Sequence, residues 1–313
     1  MNPEPLQSKP KRLPERNAVT IIAGFKCRGG IVICADTQET VEHAKRHVPK
    51  LRFEPSPNAF YGRLNNEAEE LAVAFCGAGS GPLIDKLADE AWKAAKGASS
   101  LDEACFNIED NIKRQYKELG QIYQPGYCPE VQLIFGVKMQ RKSRLFTAYG
   151  PIVNEKHGCD SGGVGHYMAD FLVRRMYRQH LNIHQCVILA AYILFQAKEH
   201  VDGCGGDSHI AVLREDGTSG LADRLHVDAI TKILDSADRE TGGLLLNSAN
   251  LDTDDQKFLN DVKVTITLLD TFRKSQREEI RQWAEVASVL GPIRPTDSFG
   301  LPMPLNSETS EPE

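Results

Sequence analysis

The sequence predicts an α+β fold, arranged as a four-layer αββα sandwich with a C-terminal extension. Two apolar runs, Thr20–Phe25 and Gly30–Ala35, flank the polar break Lys26-Cys27-Arg28-Gly29. β-branched residues dominate both runs, so they read as a hairpin buried on both faces. A second hairpin is expected at Val131–Lys138 and Arg144–Tyr149, with Gln140–Ser143 as its loop. A pair of helical segments follows each group of strands, which supplies the cover that strands apolar on both faces require.

In chain order, residues 1–18 carry four prolines and mixed charge and cannot form a packed element, so they read as a tail or a propeptide. After the first hairpin, the charged stretch Val41–His47 is expected to be a loop. Val48–Phe53 alternates like a strand with Pro49 at its start, and Leu71–Cys76 is a further buried strand that runs into the glycine-rich stretch Gly77–Gly81. Amphipathic helices are expected at Pro82–Lys96 and Leu101–Leu119, the first with Leu83, Leu87, Ala91 and Ala94 on one face. Past the second hairpin, the Gly-rich turn Ser161–Gly165 opens a helix running to about His180, and Asn182 is a candidate cap for a helix over Ile183–His200. Gly203–Asp207 then forms a loop and His209–Leu213 a strand. The remainder reads as a mixed extension over residues 216–294. Val227–Asp238 is helical there, Val262–Leu268 alternates as a strand, and Phe272–Leu290 forms another helix. Residues 295–313 are Pro/Ser/Glu-rich and read as a disordered tail.

Composition narrows the function classes. A net charge of −6 across 313 residues argues against general nucleic-acid binding. The longest apolar run, Cys186–Phe195, is too short to span a bilayer, and no secretory signal is expected. Eight cysteines lie without paired spacing, several inside apolar runs, which reads as reduced, mostly buried thiols in a cytoplasmic protein. His157, Cys159, Cys204 and His209 lack the close pairing of a structural zinc site, so no metal is expected, and no cofactor motif is present.

Antiparallel pairing in the first hairpin brings Thr20, which opens one strand, and Asp36, which closes the other, to the same end of the ribbon. A hydroxyl nucleophile and a carboxylate on rigid strands are the beginning of a catalytic site. Taken singly these residues have ordinary explanations: strand packing for a threonine, turn capping for an aspartate.

The stretch VTIIAGFKCRGGIVICADTQET resembles the opening of a proteasome β-type subunit, in the N-terminal nucleophile (Ntn) hydrolase superfamily. Carrying the resemblance are Thr20 at the strand start, Gly24 four residues later, Gly29-Gly30 at the turn and Ala35-Asp36-Thr37 at the end. It covers a domain of about residues 19–215 and fades beyond. It implies the same αββα arrangement, a threonine peptidase acting on peptides or proteins, and a homo-oligomer or ring. Catalytic silence as a structural subunit, or action on small-molecule amides, are the alternatives.

The resemblance implies specific roles. Removal of residues 1–19 would give Thr20 a free α-amino group, whose ordinary pKa of about 8 suits a general base for its own hydroxyl. Lys50, followed by apolar Leu51, matches the family's lysine, with an intervening loop two residues shorter, and Asp36 would pair with it. Gly77 matches the glycine whose N–H receives the oxyanion, and Gly79 and Gly81 leave room for substrate backbone to pair as an added strand. Three positions depart from the pattern. Val19 stands where glycine precedes the nucleophile and is expected to hinder self-cleavage. Val164 replaces the serine of a Gly-Ser-Gly turn, with Ser161 or Asp160 as possible substitutes. Val201 replaces a second aspartate, unless Asp202 serves after a one-residue slip.

Overall fold

The computed structural model describes residues 20–41, 44–55, 71–123, 128–129, 131–216, 219–250, 252 and 254–289. Both hairpins form. β1 (Ile22–Cys27) pairs with β2 (Gly30–Asp36) in a register that sets Ile22 opposite Ala35 and Cys27 opposite Gly30. With β10 (Cys159–Gly162), β11 (Ser208–Arg214) and β12 (Ser219–Leu221) they make a five-stranded antiparallel sheet, ordered β10-β1-β2-β11-β12. A second five-stranded sheet runs in sequence order from β5 (Leu51–Glu54) through β6 (Ala72–Gly79), β7 (Val131–Met139) and β8 (Lys142–Tyr149) to β9 (Ile152–Lys156).

Side-chain alternation divides the core into three. Ile22, Ile31, Ile33 and Ala35 of the first sheet meet Ala74, Cys76, Ile134 and Leu145 of the second, between the sheets. The opposite face of the first sheet, including Ala23, Phe25, Val32 and Cys34, packs on α3 (His166–Met176) and α4 (Ile183–His200). The opposite face of the second, including Val73, Phe75, Leu133 and Phe135, packs on α1 (Gly81–Ala95) and α2 (Leu101–Ile122). There Phe135 stacks on Phe75 at 5.4 Å and on Phe146 at 5.1 Å between ring centroids. Between the sheets the approach is close. A Cβ on Gly24 would lie 2.6 Å from Ile134 Cγ2, and one on Gly136 would lie 2.7 Å from Leu213 Cδ1.

The expected four-layer αββα sandwich is corrected to an α+β fold of three antiparallel sheets and six helices among the described residues. The third sheet is a ribbon of β3 (Gln38–Val41) and β4 (Ala44–His47), the second of which lies where the loop Val41–His47 was expected. All four residues of β4 are exposed, so no apolar alternation marks it. On the α4 side the helices do not end at a single layer. α5 (Arg224–Ser248) packs on α4 through buried Val227 and Ile230, while Tyr192 OH and Gln196 Nε2 donate to Asp238. α6 (Asp255–Val289) packs against α5 and carries Phe272 to the same apolar cluster.

The strand expected at Val262–Leu268 is instead part of α6. Its β-branched run alternates, but Phe258, Val262, Thr265, Leu268 and Phe272 also repeat every three or four residues and form the less exposed face of a helix. The hydroxyls of Thr265, Thr267 and Thr271 donate to carbonyls four residues back, which lets this run fit a helix. Smaller differences are that β6 continues through Gly79, β9, β10 and β12 were not foreseen, and β7 and β8 are joined by two residues, Gln140 (φ 50°) and Arg141 (φ 62°). The segments 1–18 and 295–313 lie outside the described residues.

Candidate active site

Thr20 precedes β1 and Asp36 ends β2, and the Asp36 N–H donates to Ile21 O at 3.2 Å, which closes the ribbon at that end. Lys50 immediately precedes β5 of the other sheet. The site therefore forms where the ends of the two large sheets meet. Thr20 and Asp36 are buried and the Lys50 side chain is only 12% exposed.

These three side chains are in direct contact. Lys50 Nζ donates to Thr20 Oγ1 at 2.6 Å, to Asp36 Oδ1 at 2.9 Å and to the carbonyl of Gln38. The Thr20 hydroxyl in turn donates to Asp36 Oδ1. Asp36 also accepts from the Ile21 N–H at Oδ1 (3.2 Å) and from the Gly205 N–H at Oδ2 (3.0 Å). Burial pulls the Lys50 ammonium below its ordinary value of 10.5, and the Asp36 carboxylate opposes that pull. A hydroxyl held between a carboxylate and a buried amine is arranged for proton transfer away from oxygen.

The Gly163-Val164-Gly165 turn lies against Thr20. Gly163 has φ +79°, and a Cβ there would lie 2.3 Å from the Thr20 carbonyl oxygen. The Gly165 N–H donates to that same oxygen at 3.1 Å. Val164 turns its side chain to the apolar cluster under α3 and α4. Ser161 donates to Asp170 at 2.7 Å, and Asp160 accepts from the Ser161 N–H and pairs with Lys156 at 2.8 Å. Neither is brought to the Thr20 hydroxyl. Val201 is buried as the C-cap of α4, while Asp202 is exposed. Val19 lies outside the described residues.

Gly77 lies within β6, opposite Leu133 of β7. On its other side β5 stops at Leu51, opposite Cys76, so from Gly77 onward that edge of β6 has no strand partner among the described residues. Glycine has a packing role here as well, because a Cβ on Gly77 would lie 2.7 Å from Ile84 of α1. His157 is 85% exposed, Cys159 is in β10, and among the described residues no group of three or more His, Cys, Asp or Glu is placed to hold a metal.

The sequence did not reveal the Gln38 carbonyl or the Gly205 N–H, because backbone groups carry no residue-type signal. Cys204, beside Gly205, is a buried thiol pushed up to about 12, first by burial and then by the Asp36 carboxylate, with Lys50 opposing. All eight cysteines are free, and six of them are buried.

The two sheets and the helices that cover them are those of a proteasome-related fold. The solved structures it resembles are of Anbu. An Anbu Gly-1 mutant from Hyphomicrobium sp. strain MC1 superimposes with a TM-score of 0.55 at 15% identity, covering 75% of this chain and 99% of that one. Anbu from Yersinia bercovieri, described as an ancestral beta-subunit, gives 0.56 at 12% identity, again over 75% and 99%. The resemblance to a proteasome β-type subunit is thereby corrected to a proteasome-like fold distinct from it, that of Anbu. No protein-family model and no curated protein matches the chain. Among the described residues, no helix is long and apolar enough to cross a membrane.

Proposed function

We propose that this protein is a threonine-type peptidase that hydrolyses amide bonds in peptides or proteins, with Thr20 as nucleophile. The observation that carries the reading is the contact of Lys50 Nζ with both Thr20 Oγ1 (2.6 Å) and Asp36 Oδ1 (2.9 Å) in a buried setting. Removal of the preceding residues frees the Thr20 amine, and that amine takes the hydroxyl proton as oxygen attacks the carbonyl. Asp36 holds Lys50 and the hydroxyl in line. The Gly77 N–H is assigned to the developing oxyanion, and the free edge of β6 to the substrate backbone. Residues 1–18 act as propeptide, 19–215 as the catalytic domain and 216–294 as a packed extension, with 295–313 as a tail. A homo-oligomer accords with the proteasome-related fold.

The test is the intact mass of active material together with Thr20→Ala. A mature chain starting at Thr20, and loss of peptide hydrolysis in the variant, are the expected results. Active protein that retains residues 1–19 contradicts the reading. A second reading, a structural subunit without catalysis, is favoured by buried Val201 and by Val164 in place of polar partners for the nucleophile. It prevails if Thr20→Ala leaves every hydrolytic rate of the protein unchanged.

A further inference from the structure

The two oxygens of Asp36 are divided between neighbours. Oδ1 faces the Thr20 hydroxyl, Lys50 and the Ile21 N–H, while Oδ2 takes the Gly205 N–H. The loop carrying Gly205 is bound closely to the segment 36–38. The Gly205 N–H reaches Asp36 at 3.0 Å, the Gln38 N–H reaches Gly205 O at 3.0 Å, and the Asp207 N–H reaches Thr37 Oγ1 at 2.7 Å. The fit leaves no space for larger residues, since a Cβ on Gly206 would lie 2.4 Å from Thr37 Oγ1. From the other side, Lys198 in the last turn of α4 donates to Gly206 O at 3.2 Å and to Ser208 Oγ at 2.8 Å.

We propose that Lys198 is a positioning residue for the reaction: by tying the 205–207 loop to Ser208, the first residue of β11, it fixes the Gly205 N–H on Asp36, and through Asp36 it fixes Thr20 and Lys50. Lys198 lies one helical turn before Val201, the position where the sequence resemblance implies an aspartate. The two sites share one helix, and Lys198 sends its ammonium from it to this loop. Its bonds go to the loop and not to the reacting hydroxyl, so its effect passes through Asp36. The proposal rests on the peptidase reading for its catalytic consequence but not for its geometry.

The full chain carrying Lys198→Met or Lys198→Arg tests this. Methionine keeps the aliphatic stem and removes the donors, whereas arginine restores donors and charge. The first readout is amide hydrogen exchange at Gly205, Asp207 and Ile21. Ile21 decides the matter because it lies on the far side of the carboxylate, where loosening of the loop alone would not reach. In Lys198→Met, exchange at all three is expected to rise about tenfold, as fits the loss of a hydrogen bond from a charged donor, with Gly24 inside β1 unchanged. Peptide hydrolysis is expected to lose about tenfold in kcat with KM little altered, and Lys198→Arg to recover most of both. Unchanged exchange at Ile21 in Lys198→Met overturns the proposal. If that variant does not fold, Ser208→Ala, which removes one of the two acceptors, should give a smaller change in the same direction, and no change at Ile21 again overturns it. If the unsubstituted protein shows no hydrolysis, exchange alone decides the role of Lys198 and only the peptidase reading falls.

Discussion

At the level of single residues, Asp36 gathers the contacts of the site. It is fully buried and accepts from the Thr20 hydroxyl, Lys50 Nζ and two backbone N–H groups. Asp36→Asn removes the countercharge of Lys50 and cannot accept at both oxygens. Urea unfolding is expected to show a loss of about 3 kcal/mol, in the range for breaking a buried pair from one side. Gly163→Ala forces a left-handed φ on alanine and pushes a methyl onto the Thr20 carbonyl. A loss of about 1–3 kcal/mol is expected, together with slower reaction of Thr20 with acylating reagents. How legible these positions were depends on chemistry. Thr20, Asp36 and Lys50 could be named because their side chains carry distinctive chemistry, in an order that a known family shares. Gln38 and Gly205 contribute main-chain atoms, which any residue supplies. Lys198 looks like any helix-terminal lysine until the loop beneath it is seen.

Among the elements, α4 was the most readable. Its boundaries, Ile183–His200, follow from Asn182, whose side chain accepts from the Gln185 N–H at 3.0 Å while Gln185 Oε1 accepts from the Asn182 N–H at 3.0 Å. Asn182→Ala is expected to cost about 1 kcal/mol by denaturant melting, as for a lost helix cap. The β1–β2 hairpin was also plain, because two apolar runs rich in β-branched residues flank a polar break that ends in Gly29-Gly30. By contrast β3 and β4 could not be read. The residues of β4 are all exposed and show no alternation, and the ribbon forms because backbone pairs with backbone, with Gln38 opposite His47 and Val41 opposite Ala44. In α6, Val262 and Leu268 belong both to an alternating run and to a helical face. The contacts with α5 and the apolar cluster, invisible in one dimension, selected the helical one.

Across the whole molecule, burial of histidines makes stability depend on acidity. His184 and His209 are each held below the ordinary 6.5, chiefly by burial. Arg214 and His226 add to this for His184, while Asp207 opposes it and Arg224 adds for His209. As pH falls below 6.5 the unfolded chain takes up these protons before the folded chain does, so stability is complete above that value and is lost on acidification through the folded-state values. Melting temperatures measured from about pH 7 down to about pH 5 should therefore fall, and a His184→Gln/His209→Gln variant should show a shallower fall.

The glycines between the sheets have a consequence for the chemistry. Thr20 and Asp36 belong to one leaf of the molecule and Lys50 to the other, so the 2.6 Å contact that joins them depends on how the leaves are held together. A methyl wedged in at Gly136, where Leu213 would stand 2.7 Å away and Ile31 3.2 Å, acts as a shim far from any reacting atom. Gly136→Ala should cost about 1–3 kcal/mol of overpacking and, by parting the leaves, slow acylation of Thr20 more than its effect on folding accounts for. The reactivity of one hydroxyl would then serve as a gauge of how tightly the two halves of the chain are pressed together.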